Sequence, residues 1–167
     1  MNQSDALDDA ALNRLAVKLG DGLAERKLTL SLAESCTGGW IAKCLTDVAG
    51  SSAWFESGWV SYSNRAKQEE LSVEAELLAR HGAVSQAVVK AMAEGARRRA
   101  GSDWALAVSG VAGPGGGSAD KPVGTVCFGL ALDEDARAWT KYFQGEREQV
   151  RRASVAWALQ CLLNHLP

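Results

Sequence analysis

Apolar residues recur at Leu12, Leu15, Ala16, Leu19 and Leu23, the three- and four-residue spacing of one helix face. This predicts an opening amphipathic helix over 6–26. Residues 28–33 alternate apolar and polar, a strand signal, and helical spacing resumes over 39–47. Gly50-Ser51-Ser52 is a turn cluster. A strand is predicted from Phe55 to Ser63, followed by a short helix with Asn64 as N-cap that reaches about Leu71. A further helical turn or two spans 74–81 and stops at Gly82, a C-cap residue. Ser85 then caps a long helix to about Ala100. Trp104 to Val108 reads as a buried strand, and Pro122 to Leu130 as another with a hairpin partner near 136–143. A closing helix covers 147–165. Strands alternate with helices early and pair as a hairpin late. That pattern predicts one domain over 1–167, an α/β fold with three α/β/α layers around a mixed sheet.

Two loops interrupt this frame with unusual composition. The first, Ala33-Glu34-Ser35-Cys36-Thr37-Gly38-Gly39, joins the first strand to a helix. It carries hydroxyls, little side-chain bulk and two glycines, so its backbone N–H groups can approach a carboxylate, a phosphate or an oxyanion. An ordinary N-cap and turn would have the same composition. The second, Ser109-Gly110-Val111-Ala112-Gly113-Pro114-Gly115-Gly116-Gly117, follows the buried strand. It lacks the Gly-Lys-Ser/Thr ending of a P-loop and opens no helix with Gly-x-Gly-x-x-Gly. ATP hydrolysis and Rossmann-type dinucleotide binding are therefore excluded as first readings.

Composition narrows the classes further. The chain has 167 residues, 47% apolar and 23% charged, and a net charge of −2, which suits a soluble globular domain. Its dense basic runs, Arg97-Arg98-Arg99 and Arg151-Arg152, fall in helical contexts and read as solvated faces, so no nucleic-acid partner is expected. No apolar stretch has the length of a membrane span, and the polar start, Met1 to Asp5, is unlike a secretory signal. A cytoplasmic location is the expectation. Cys36, Cys44, Cys127 and Cys161 form no Cys-x-x-Cys pair and have only His81 and His165 beside them, so neither a metal nor a cofactor is expected. Helix faces rich in small apolar residues predict a homo-oligomer.

Lys67 breaks a local rule. With Asn64 as N-cap it would occupy N3, where a capping box uses Glu or Gln. The helix N-terminus disfavours an ammonium there and burial would disfavour it further. A lysine neutral near pH 7 is a general base; the bland alternative is an exposed surface lysine. With histidine scarce, a Ser/Lys arrangement with a tyrosine hydroxyl nearby is the hydrolytic chemistry this composition supports. Ser35, Thr37, Ser51, Ser52 and Ser109 all offer hydroxyls at turns. Loop chemistry alone favours Ser35, and Cys36 lacks a histidine partner.

Six motifs in order extend this reading: Ala33 to Gly39, Gly50-Ser51-Ser52 with Phe55, Tyr62-Ser63-Asn64 with Lys67, Gly82 to Ser85, Ser109 to Pro114, and Lys121 to Val126. Together they resemble the CinA C-terminal domain family over residues 10 to 165. The resemblance implies a stand-alone amidase that hydrolyses the carboxamide of nicotinamide mononucleotide to nicotinate mononucleotide and ammonia, in pyridine-nucleotide recycling. It implies Ser52 as the reactive serine, Lys67 as base and Tyr62 beside them. Ser35, Thr37, Gly38, Ser109 and Gly110 would line the substrate, and Arg147 or Arg151 would meet its phosphate. The rival reading is a non-catalytic module of the same fold, linked to competence or DNA damage.

Overall fold

The computed structural model describes residues 7–133 and 135–167; the polar start of the chain and the first residue of the expected opening helix lie outside them. The elements run α1 (Asp9–Arg26), β1 (Leu30–Glu34), α2 (Trp40–Thr46), a 3-10 turn (Ser51–Ala53), β2 (Phe55–Val60), α3 (Asn64–Leu71), α4 (Ala75–His81), α5 (Gln86–Ala100), β3 (Trp104–Gly110), β4 (Thr125–Leu132), β5 (Asp135–Tyr142) and α6 (Arg147–His165). The strands form one five-stranded sheet in the order β2-β1-β3-β4-β5. β1 is parallel to β2 and to β3, whereas β3–β4 and β4–β5 are antiparallel. The mixed sheet in a three-layer α/β/α fold is as the patterning predicts.

The two faces of the sheet differ in side-chain size. Leu30, Leu32, Leu106, Val108, Phe128 and Leu130 pack into the cluster that holds residues of α1, α2 and α6, such as Leu19, Ile41 and Leu159. Ala33, Ala105, Ala107, Cys127 and Ala131 meet Leu71, Val88, Val89 and Met92 of α3 and α5. The period of two along each strand sorts the residues between faces. Small residues on the second face let α5 approach closely: a Cβ on Gly129 would lie 2.3 Å from the Val89 carbonyl oxygen. Gly95 of α5 is pressed against α3, with the Leu71 carbonyl oxygen 1.9 Å from a hypothetical Cβ.

β1 departs from the half-buried strand that its alternation predicts. Every residue of it is buried, because helices cover both faces and strands flank both edges. Its polar members are paired instead of solvated: Ser31 Oγ lies 2.8 Å from Ser102 Oγ.

Candidate active site

The parallel strands β1, β2 and β3 end on the same side of the sheet. The crossover from β1 to β2 through α2 and that from β2 to β3 through α5 lie on opposite faces. The chain thus leaves β1 over one face and leaves its neighbour β2 over the other, and such a reversal opens a crevice at the carboxyl ends of the strands. The first loop follows β1 there, and the second follows β3. The amide of Ser35 donates to the Val108 carbonyl (3.0 Å), so the first loop is sewn to β3 at its first residue.

Lys67 reaches this crevice from α3. Ser63, not Asn64, is the N-cap: its hydroxyl accepts from the Ala66 amide at 3.0 Å. Either residue type can cap, and the one-residue shift makes Lys67 N4. Helical side chains lean toward the N-terminus, so Lys67 folds back over the first turn. There Nζ donates to the carbonyls of Ser61 (2.8 Å) and Tyr62 (2.9 Å) and lies 3.0 Å from Ser35 Oγ. Lys67 is 1% exposed and is the largest of the fully buried side chains. Burial lowers its pKa from the usual 10.5 to about 8.

The expected partnership of Lys67 with Ser52 does not form. Ser52 lies exposed on the 3-10 turn that precedes β2. Because Leu30 pairs with Phe55 and Glu34 with Val60, this turn stands at the opposite end of the sheet from Ser35. The six residues of β2 separate the two ends by roughly 20 Å at strand rise. The hydroxyl that meets the buried amine is Ser35. Tyr62 contributes its main-chain carbonyl, while the residue as a whole is 61% exposed and its hydroxyl has no hydrogen-bond partner among the described residues.

Loop details follow from their contacts. Thr37 spends its hydroxyl on Glu34 Oε1 at 2.6 Å. Gly38 adopts φ +60°, a backbone shape that favours glycine. Gly38 N donates to Ser35 O and Trp40 N to Thr37 O, and the Cys36 amide faces its own thiol, whereas the amide of the fully buried Thr37 has no acceptor among the described residues. Buried amides are rarely left so. Cys36 is buried and its thiol is pushed up to about 12, chiefly by desolvation, which leaves it a protonated, inert core thiol. Ser109 is buried in β3, directly after the residue that holds Ser35. A Cβ on Gly110 would lie 2.7 Å from Val126 Cγ2, so its lack of a side chain serves packing against β4.

The two arginines divide their work. Arg147 donates to the Gly113 carbonyl of the second loop (2.7 Å). Arg151, one turn further along α6, donates from Nε to Cys36 O (3.0 Å) and from Nη2 to Thr37 O (3.1 Å), and its guanidinium lies 5.5 Å from the centre of the Trp40 ring. Both line a cavity of about 770 Å³ with Ala112, Pro114 and Val123. Among the described residues no group of His, Cys, Asp or Glu converges to hold a metal ion, and no helix is long and apolar enough to cross a membrane.

Pattern reasoning missed the tertiary roles of Glu34 and Arg151. Glu34 is the last residue of a strand yet is 2% exposed. A carboxylate closing a largely apolar strand was the available signal.

The chain is similar to known proteins over nearly its whole length. The family model described as CinA C-terminal domain matches residues 12–166. The "Nicotinamide-nucleotide amidohydrolase PncC" of Shigella flexneri is 51% identical over 157 residues, covering 93% of this chain and 95% of the relative. The protein of that name from Escherichia coli (strain K12) is 50% identical over the same length, with the same coverage. Among solved structures, a "Competence-Damaged Protein (CinA) Superfamily Protein" from Klebsiella pneumoniae superposes with a TM-score of 0.90 at 38% identity, covering 93% of this chain and 97% of that one.

Proposed function

The chain belongs to the CinA C-terminal domain family, and on that premise we propose that it hydrolyses nicotinamide mononucleotide to nicotinate mononucleotide and ammonia, with Ser35 as nucleophile and Lys67 as general base. The observation that carries this reading is the buried Lys67 amine 3.0 Å from Ser35 Oγ, with two main-chain carbonyls taking its other contacts.

A neutral lysine has two N–H bonds and one lone pair. The Ser61 and Tyr62 carbonyls take the two hydrogens, and the lone pair is left for the Ser35 proton. Ser35 Oγ then attacks the carboxamide carbon, its proton passing to Lys67. The free amide of Thr37 is the loop donor for the resulting oxyanion; one such donor is typically worth about 10²–10³ in rate. Lys67 returns the proton to the departing amine, which leaves as ammonia and generates an acyl ester on Ser35. Water, deprotonated by Lys67, attacks that ester; Lys67 passes the proton to the departing Ser35 Oγ, which releases the nicotinate nucleotide and regenerates the serine. The cavity beside Arg147 and Arg151 has the volume of a small-molecule site, and guanidinium groups suit a nucleotide phosphate.

The test is ammonia release from nicotinamide mononucleotide and from free nicotinamide, with a chelator present, by wild type, Ser35→Ala and Lys67→Met. Turnover of the nucleotide by wild type alone is expected. No ammonia from either substrate would favour the binding-module reading.

A further inference from the structure

Glu34 is a fully buried carboxylate that the mechanism above does not use. Its side chain accepts three hydrogen bonds: from Thr37 Oγ1 (2.6 Å) and the Ile41 amide (3.0 Å) at Oε1, and from the Ala42 amide (3.0 Å) at Oε2. All three partners are donors, which suits an acceptor-only carboxylate. Two of them are first-turn amides of α2. The N-cap of that helix is Gly39, at φ +92° and without a side chain to cap it, so Glu34 performs the capping from the strand side. Its backbone is equally committed. It pairs with Val60 and Val108, and its carbonyl accepts from the Ser61 amide at 2.9 Å.

One residue thus ties together the parts that carry the reaction. Its side chain fixes the far end of the first loop and the start of α2. Its carbonyl fixes Ser61, whose own carbonyl holds Lys67 Nζ. Ser35 lies between these anchors, one residue along the chain. We propose that Glu34 is a positioning residue for the amidase reaction: its carboxylate holds the 35–39 loop in the one shape that keeps Ser35 Oγ against Lys67 Nζ. This rests on the reading of Ser35 as the nucleophile.

Glu34→Gln tests it with little change in volume. An amide oxygen can still accept from Thr37 and Ile41, but the amide NH₂ then faces the Ala42 N–H, donor against donor. The N-terminus of α2 must shift, and the serine with it. A misplacement of about 1 Å can cost about 10²-fold in rate. Three readouts separate positioning from mere structural support: kcat on nicotinamide mononucleotide, the dissociation constant for the product nicotinate mononucleotide, and the rate of Ser35 labelling by a fluorophosphonate, read by intact mass. Thr37→Val, which removes only the 2.6 Å bond, accompanies Glu34→Gln in case that variant fails to fold.

The expected result is a fall of about 10²-fold in kcat and a matching fall in labelling for Glu34→Gln, with product affinity within about threefold of wild type. Thr37→Val should lose a smaller part of kcat with the same split. Wild-type kcat in Glu34→Gln beside an inactive Ser35→Ala would overturn the role of Glu34 and leave the serine reading intact. An active Ser35→Ala would instead remove the reading on which the proposal rests. Parallel loss of kcat, product binding and thermal stability in Glu34→Gln, with Thr37→Val unchanged, would reduce Glu34 to a structural cap and overturn the proposal. If Glu34→Gln does not fold, an unchanged kcat in Thr37→Val overturns it alone.

Discussion

Replacing Lys67 by methionine keeps most of the length of the side chain and removes its only titrating group. In the native protein burial holds the Lys67 pKa at about 8, against 10.5 in a solvated chain. Between those values the unfolded chain binds a proton that the native state does not, so stability rises with pH there. Below pH 8 both states carry the proton and the penalty is constant; above 10.5 neither does and it vanishes. The shift corresponds to about 3 kcal/mol in full, of which roughly 2–3 kcal/mol is relieved between pH 7 and pH 10. Lys67→Met has no such dependence. The stability of wild type relative to Lys67→Met should therefore improve by that amount over this interval, measured by urea unfolding at both pH values. Activity should follow the same proton. About one molecule in ten has neutral Lys67 at pH 7 and most do at pH 9, so wild-type kcat should rise about tenfold, provided chemistry limits turnover. Lys67→Met should be inactive at every pH. A stability difference that stays flat from pH 7 to 10 would refute the desolvated lysine, and substantial turnover by Lys67→Met would refute its role as base.

Other expectations follow from single contacts. Ser35→Ala should abolish ammonia release while Ser52→Ala, at the far end of the sheet, keeps near wild-type kcat; the reverse pattern would restore Ser52. Arg151→Met removes both guanidinium bonds to the Cys36 and Thr37 carbonyls, so kcat/KM should fall at least tenfold, by about the 1.4 kcal/mol that a lost charged hydrogen bond can cost; steady-state kinetics on the nucleotide would show it. Exhaustive chelation should leave activity unchanged in the ammonia assay, and loss restored by a divalent ion would sink the Ser/Lys mechanism. Gly95→Ala should destabilise by about 1–3 kcal/mol or more, because its Cβ would meet the Leu71 carbonyl oxygen; a thermal transition equal to wild type would contradict that packing.

Much of this molecule is local and was legible in the chain. Helix α6 and the Ser85 cap of α5 depend on periodicity and capping chemistry within one segment, and a helix or strand period needs no partner to be read. Lys67 was identifiable because it violates a local preference near a helix start, even though the cap is Ser63 and the position N4. The first loop stood out as well, through its small hydroxyl residues and paired glycines between strand and helix, although an ordinary N-cap and turn has the same composition. Which serine meets the lysine was not legible, since loop chemistry favoured Ser35 and the family resemblance Ser52. Ser35 and Ser52 are equally small, equally polar and both at turns. The difference arises only when β1 and β2 pair in parallel register, with Leu30 on Phe55 and Glu34 on Val60, which puts the two serines at opposite ends of the sheet. The roles of Arg151 and Glu34 have the same origin. A guanidinium on the last helix reaches the first loop across 115 positions of chain, and a carboxylate becomes a buried cap only when α2 folds back over β1. Local pattern reports each segment's preference for its own backbone shape. Proximity between segments is settled by register and layer packing, because a fold brings together groups whose separation in sequence carries no information about their distance.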